Sequence, residues 1–374
     1  MSETPGTGLP GTELPGTPTT LFRHALRLHR LTPDGPLPRN GEPIPDAEPR
    51  RCRDRQDRPL DHTRTDVDAA ELLDRYFDAP RASPYALAVR LREVPTPFRY
   101  NQHIADAVLR APAARARETG RWLVRHGTDL GSVAIGLAML AEVATVDDIP
   151  RIQTIGLLSN AFGPLAARAL DRLPGGVDAL LWLAERVTAW GRVHVVDTLC
   201  RHVDDHPAVL PWLLRRAVDG DFLNSYFADE VARVTRLHEV IAESGDDADV
   251  VDHTGRILHV MTYCEGMGTS LRLYPHALAL LEAHVRHLGP LGPTAERYFA
   301  AATVAQYLTK EVPAWTDDAT VKARWDEART SYLALVDRGD WCSTAREGLA
   351  AGDRRLTWLA EHGAPDLDLR ALRT

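Results

Sequence analysis

The sequence predicts an all-α protein built from stacked helical hairpins, and three observations lead there. A short signature recurs as Ala169-Leu170-Asp171-Arg172-Leu173, Val195-Val196-Asp197-Thr198-Leu199 and Phe227-Ala228-Asp229-Glu230-Val231. Its period of roughly 30 residues is that of stacked helix pairs. Each signature follows a second apolar segment centred on paired leucines, Leu157-Leu158, Leu180-Leu181 and Leu213-Leu214, so the repeating unit is a helix A followed by a helix B. No stretch alternates apolar and polar residues as a half-buried strand would.

Three regions are expected: a disordered Pro/Gly-rich tail over 1–65, helical repeats over 66–245, and a helical carboxy-terminal subdomain over 246–374. The first region holds 11 of the 26 prolines and opens with a near-repeat, Leu9-Pro10-Gly11-Thr12 and Leu14-Pro15-Gly16-Thr17, a composition that denies the backbone regular packing. Within it Leu21, Ala25 and Leu28 fall on one helical face with Arg23, Arg27 and Arg30 mostly opposite. That island reads as a short amphipathic helix, expected to fray given its length, with docking on the protein's own body, ahead of docking on a partner, as the alternatives.

From Asp66 the elements follow in order. Val67 to Phe77 opens with acidic residues suited to a helix start, Pro80 and Pro84 interrupt the chain, and Tyr85 to Arg92 resumes it. Asn101 to Leu109 pairs with Ala113 to Arg125. Ser132 to Val143 is apolar on almost every side and is expected to be an inner helix. The signature pairs come next, with turns expected at Asn160 to Pro164, Pro174 to Gly176, Ala189 to Gly191, Asp204 to Pro207 and Asp219 to Asp221. The acidic stretch 243–252 is expected to be a subdomain boundary, beyond which helices are expected over His253–Tyr263, Ser270–His287, Thr294–Thr309, Asp318–Arg338, Ser343–Leu349 and Arg354–His362.

Over residues 98–245 the signatures and paired leucines resemble the HEAT and armadillo-type α-solenoid superfamily. The units are shorter than the usual HEAT length, and the helix A proline is clear at Pro150 and Pro211. What the resemblance implies is a HEAT-like α-solenoid whose B helices line a concave face, used as a protein-binding scaffold.

Composition narrows the function. With 374 residues and 44% hydrophobic side chains the chain can fill a sizeable core. The net charge is -8, and the one basic run, Arg50-Arg51-Cys52-Arg53-Asp54-Arg55, is diluted by its aspartate, so the electrostatic footprint of a nucleic-acid binder is missing. Lysine occurs only at Lys310 and Lys322, which reads as the coding bias of a GC-rich bacterial genome. Cys52, Cys200, Cys264 and Cys342 are too widely spaced for a disulfide framework or a zinc ribbon. The opening Met-Ser-Glu-Thr-Pro lacks the features of a secretory signal, and the longest uncharged apolar stretch, Leu130 to Ala141, is too short for a bilayer. A cytoplasmic protein without membrane contact is the expectation.

The best metal candidates lie in the histidine-rich stretch 253–287. His253, His259 and Cys264 head that group, but zinc needs three or four converging ligands, and His253 and His259, six positions apart on one helix, point to different faces. His202 and His206 stand four apart, yet Pro207 biases the preceding residue away from helix. No resident metal or cofactor is expected. Nor does the chain carry a Gly-x-Ser-x-Gly elbow, a Walker loop, a Gly-x-Gly-x-x-Gly turn, a His-Glu-x-x-His pair or an adjacent His-Asp pair, so no catalytic residue is assigned.

A mixed-charge stripe remains. Arg168, His194, Arg201 and Arg233, with Asp197 and Asp229, are the polar residues placed one turn from the apolar seam of successive B helices. Asp197 and Arg201, like Asp229 and Arg233, stand at i, i+4, where they support a helix or bridge to a neighbour. The expected function is a non-catalytic scaffold or adaptor that grips a protein partner on this concave face. The alternative is an all-α enzyme, metal-dependent or not, with its site between the repeats and residues 253–374. A third reading, HEAT-like DNA binding or repair through Trp182, Trp190 and Trp212, conflicts with the acidic balance of the repeats. No small-molecule ligand is indicated.

Overall fold

The structure is a computed structural model and describes residues 19–45, 62–245, 247–263, 270–312, 318–363 and 367–372. Among them every regular element is helical, with nineteen α-helices, a few 3-10 turns and no strand. The chain divides into two compact units, Met1–Leu173 and Pro174–Thr374.

The first unit contains α1 (Leu21–His29), α2 (His62–Asp78), α3 (Pro84–Leu91), α4 (Gln102–Arg110), α5 (Ala113–His126), α6 (Leu130–Val143), α7 (Ile149–Gly156) and α8 (Ser159–Asp171). Thr20, Ser83, Asn101 and Asp129 start α1, α3, α4 and α6, each side chain accepting from the backbone N–H three positions on. Such caps satisfy donors that have no partner inside the helix. As its composition leads one to expect, α6 is buried on nearly every side. It approaches α5 closely at Gly136, where an added Cβ would meet Leu123 Cβ at 2.8 Å and Val124 N at 3.0 Å.

Part of the expected tail is folded. Leu21, Phe22 and Ala25 are buried, Leu21 N donates to Gly127 O at 3.1 Å, and the Arg125 guanidinium lies 4.4 Å from the centre of the Phe22 ring. His24 Nε2 shares a 2.8 Å hydrogen bond with Gly41 O, and α1 packs on α5 and α7. A helix too short to persist alone is held when its apolar stripe is buried against a formed body. The remaining tail residues, 1–18 and 46–61, lie outside those described. α8 runs through the turn expected at Asn160 to Pro164, with Pro164 inside the helix, and the break sits at Leu157 and Leu158 instead. Burial of Phe162, Leu165, Ala166 and Leu170 outweighs the one backbone hydrogen bond that a proline removes.

The second unit contains α9 (Gly176–Ala184), α10 (Ala189–Cys200), α11 (Val209–Arg216), α12 (Ala228–Val234), α13 (Leu237–Glu243), α14 (Ala248–Tyr263), α15 (Ala277–Leu291), α16 (Ala295–Lys310), α17 (Ala319–Val336), α18 (Gly339–Ala350) and α19 (Arg354–His362). The turn expected at Ala189 to Gly191 is the first turn of α10, Ala189 taking a positive φ of 51° as the helix opens. The centre of the unit is α14 and α16, both buried along most of their length. Beside α15 they meet at Gly255, whose missing Cβ would stand 3.1 Å from His284 Nε2 and 3.4 Å from Ala300 Cβ.

The acidic stretch 243–252 does not separate compact units; that division falls at 173/174, between the first signature pair and the second. Asp247 is tied in on two sides, its Oδ2 to Arg215 Nη2 at 2.6 Å and its Oδ1 accepting from Val250 N at 3.1 Å. Val218 N donates to His253 Nε2 at 2.9 Å, and Arg256 Nε donates to Val218 O at 3.1 Å. These bonds join α14 to the end of α11. Two carboxylates of this acidic run, Asp247 and Asp252, the latter 2.6 Å from Arg297, are spent on ion pairing and helix capping.

Candidate partner-binding face

In the second unit, α10 carries Trp190, His194 and Asp197, and Arg201 caps its end; at spacings of four, three and four the four side chains share one helical face. Asp197 Oδ2 and Arg201 Nη1 are 3.2 Å apart and well exposed, at 68% and 54%. Trp190 stacks on His194 with ring centres 6.2 Å apart, and burial, opposed by Asp197, lowers the His194 pKa so that its imidazole is neutral.

The 3-10 turn Phe222–Tyr226, opened by Asp221 accepting from Leu223 N at 2.8 Å, packs against α10. It brings Tyr226 to 4.9 Å from Trp190, ring centre to ring centre. Trp190 and Tyr226 are 42% and 48% exposed, and Phe222 on the same turn is 54% exposed. Next to α10 lies α12. There Asp229 and Arg233 stand 3.5 Å apart, Arg233 Nη2 donates to Leu273 O at 3.3 Å, and its guanidinium lies 5.7 Å from the Tyr274 ring centre.

Five of the six stripe residues therefore lie on two neighbouring helices of one unit. Arg168 is on α8 of the first unit, where its Nη2 meets Glu142 Oε1 at 3.4 Å and its guanidinium covers the Tyr100 ring at 3.7 Å. Arg172 meets the other oxygen of Glu142 at 3.2 Å, and that carboxylate is only 4% exposed. Arg168 is thus occupied in neutralising a buried acid. Sequence pattern alone does not single out the aromatic pair. Half of its signal is present there, since Trp190 lies one turn before His194 on the same face, but the contribution of Tyr226 depends on a turn whose packing no local pattern encodes.

The histidines have structural employment. His253 is wholly buried, and burial, followed by the charges of Arg256 and Arg192, lowers its pKa far enough to keep it a neutral acceptor for Val218 N. His259 faces Thr303 Oγ1 at 3.2 Å and lies against Tyr263 and Phe299; burial, then Arg355, brings its pKa to about 4. Cys264 lies outside the described residues. His206, four positions after His202, turns to Asp178 at 3.2 Å. Among the described residues no three His, Cys, Asp or Glu side chains converge to hold a metal ion.

A cleft of about 470 Å³ in the second unit is lined by Arg192, Arg215, Arg216, Arg256 and Arg355. Its chemistry is internal. Arg192 donates to Ala184 O, Val187 O, Arg216 O and Ala217 O at 2.7 to 3.2 Å, capping the carbonyl ends of α9 and α11, which attract a cation. Arg256 meets Glu296 at 2.8 Å, Arg216 meets Glu185 at 3.4 Å and Arg215 meets Asp247 at 2.6 Å. The guanidiniums are matched by carboxylates and carbonyls, so the cleft does not select an anion.

No protein-family model matches the chain, and no curated protein or solved structure matches it. No helix among the described residues is long and apolar enough to cross a membrane.

Proposed function

We propose that the protein is a non-catalytic scaffold or adaptor of the bacterial cytoplasm, whose helix pairs, HEAT-like in sequence pattern, grip a protein partner on the face formed by α10, α12 and the Phe222–Tyr226 turn. The observation that carries this reading is the half-exposed Trp190–Tyr226 pair set beside the ion pairs Asp197–Arg201 and Asp229–Arg233. Tryptophan, tyrosine and arginine dominate the energetics of protein interfaces, where a central aromatic patch is ringed by polar groups. Balanced charges suit a protein surface and serve a phosphate backbone poorly.

Photocrosslinking tests it. With a benzophenone side chain at position 190 or 226, and at exposed position 286 as control, the first two sites should trap one discrete protein that unlabelled wild type competes away. The double variant Trp190→Ala/Tyr226→Ala should fold but fail to compete. No discrete product, or the same product from position 286, would remove this face from consideration.

A further inference from the structure

The imidazoles of His238 and His276 lie face to face, ring centres 3.6 Å apart and planes parallel. His238 is the second residue of α13, and His276 immediately precedes α15, the helix on which α13 packs. Tyr274 braces the stack edge-on to both rings. Its hydroxyl donates to Ala232 O at 3.3 Å and shares a hydrogen bond with His238 Nδ1 at 3.3 Å. Burial, then the charge of Arg233, acts on this phenol, and the net result holds its pKa up at about 12, so it stays protonated.

Two neutral imidazoles stack favourably, whereas two imidazoliums this close repel strongly because little water separates them. The surrounding charges offer little relief. Glu239 stands 3.5 Å from His238 Nε2 but is already engaged by Arg236 at 2.6 Å. From α12, Arg233 lies against Tyr274 with its charge offset by Asp229 at 3.5 Å. On α15, Glu282 is drawn to Arg324 at 3.6 Å. On α14, Asp252 is paired with Arg297, His253 with Val218, Arg256 with Glu296 and His259 with Thr303.

We propose that His238 and His276 form an acid-sensitive latch, closed while the rings stack neutral and opened when both are protonated, which releases α13 and the Ser270–Tyr274 turn from each other. α13 is suited to the moving part, since it has seven residues and buries only Leu237 and Ile241. The effect of neighbours on His238 agrees in direction: burial, followed by His276 and then opposed by Glu239, lowers its pKa. The inference stands on the stacked pair and does not depend on the α10–α12 face being a partner site.

Hydrogen exchange with mass spectrometry tests it on the full-length protein. Corrected for intrinsic rates, amides of Leu237–Glu243 and 270–277 should open more as pH falls from 7.5 to 5.5, approaching ten-fold per pH unit for each proton bound only by the open form, while amides of α6 in the first unit respond less. His276→Phe keeps a ring in the exposed position without its charge, and should abolish the excess response. An unchanged response in His276→Phe, or no excess opening of α13 in wild type, would overturn the latch. A second reading needs no variant: in the NMR titration of the wild-type rings, two coupled steps support the latch and two independent titrations near the ordinary value of about 6.5 refute it.

Discussion

The carboxylate of Asp148 is sealed from solvent and gripped by Arg121, whose Nε and Nη2 donate to its two oxygens at 2.7 and 2.9 Å. Arg151 adds a third bond at 2.6 Å, and Thr145 N donates at 3.0 Å. Burial alone would raise this carboxyl, but the bonds from Arg121 and Thr145 and the charges of Arg121 and Arg151 outweigh it and hold the pKa below the ordinary range. A carboxyl depressed in the folded state contributes its full stability above the unfolded value of about 3.9, and loses it as pH falls through the folded value.

Asp148→Asn should therefore cost about 3 kcal/mol at pH 7, the lower end for breaking a buried pair, since Arg121 is partly exposed and can turn to water. Urea unfolding of the first unit would measure it, and the gap to wild type should narrow below pH 3. A variant as stable as wild type at pH 7 would show that the site relaxes around the amide.

The two kinds of arginine in the mixed-charge stripe should separate under charge reversal. Arg201→Glu changes an exposed helix-surface pair and should move stability by no more than about 0.5 kcal/mol. Arg168→Glu places a second acid against the buried Glu142 carboxylate, with Arg172 as the remaining counter-charge, and should cost about 2 to 4 kcal/mol. Thermal midpoints of the two single variants decide the matter; equal shifts would mean that Glu142 reaches solvent without cost.

Acid should weaken the second unit through its buried histidines. Burial lowers His253 well below the ordinary value, His259 to about 4 and His284 to about 3. Above about pH 6.5 such a histidine is neutral whether the chain is folded or not, so nothing is lost; below it the unfolded chain binds protons that the folded one refuses. Stability should then fall by up to about 1.4 kcal/mol per pH unit for each of the three, from pH 6 towards 4. His259→Gln, which can still bond Thr303, should remove about a third of that slope. Global exchange of α14 and α16 amides against pH is the measurement, and a flat profile over this range would mean that these rings titrate while folded.

How much of this is legible in the sequence follows from where the information lies. The all-α class is, because apolar periodicity is local and recurs: Ser132 to Val143 announces an inner helix by being apolar all round, and the caps at Asp129 and Asn101 immediately precede their helices. The division at 173/174 is not, because it depends on which distant segments bond to which, and the acidic run 243–252 is joined to α11 by Arg215, His253 and Arg256, none of which any local pattern links to it. The charged stripe is half legible. Its i, i+4 pairs on α10 and α12 follow from spacing, but Glu142, the buried acid that claims Arg168, lies on a different helix, and no spacing rule pairs them.

In α1, composition and packing pull apart. Leu21 is fully buried, Phe22 sits beneath Arg125, and His24 is bound to Gly41 O, although the helix has only nine residues and is flanked by proline-rich sequence. On its own such a segment would be mostly unfolded in water, so the order it shows must come from contact with α5 and α7. Leu21→Ala removes a wholly buried side chain and should destabilise the first unit by about 2 to 4 kcal/mol, depending on how far the site collapses. Trypsin offers a complementary view, since Arg23 and Arg27 are potential cleavage sites within the helix. Under native conditions both should be cut far more slowly in wild type than in Leu21→Ala, because cleavage requires α1 to undock. Rapid cutting at Arg23 in the wild-type protein, with the remaining chain just as stable, would show that α1 is an ornament on the first unit and that its apolar stripe does not hold the fold together.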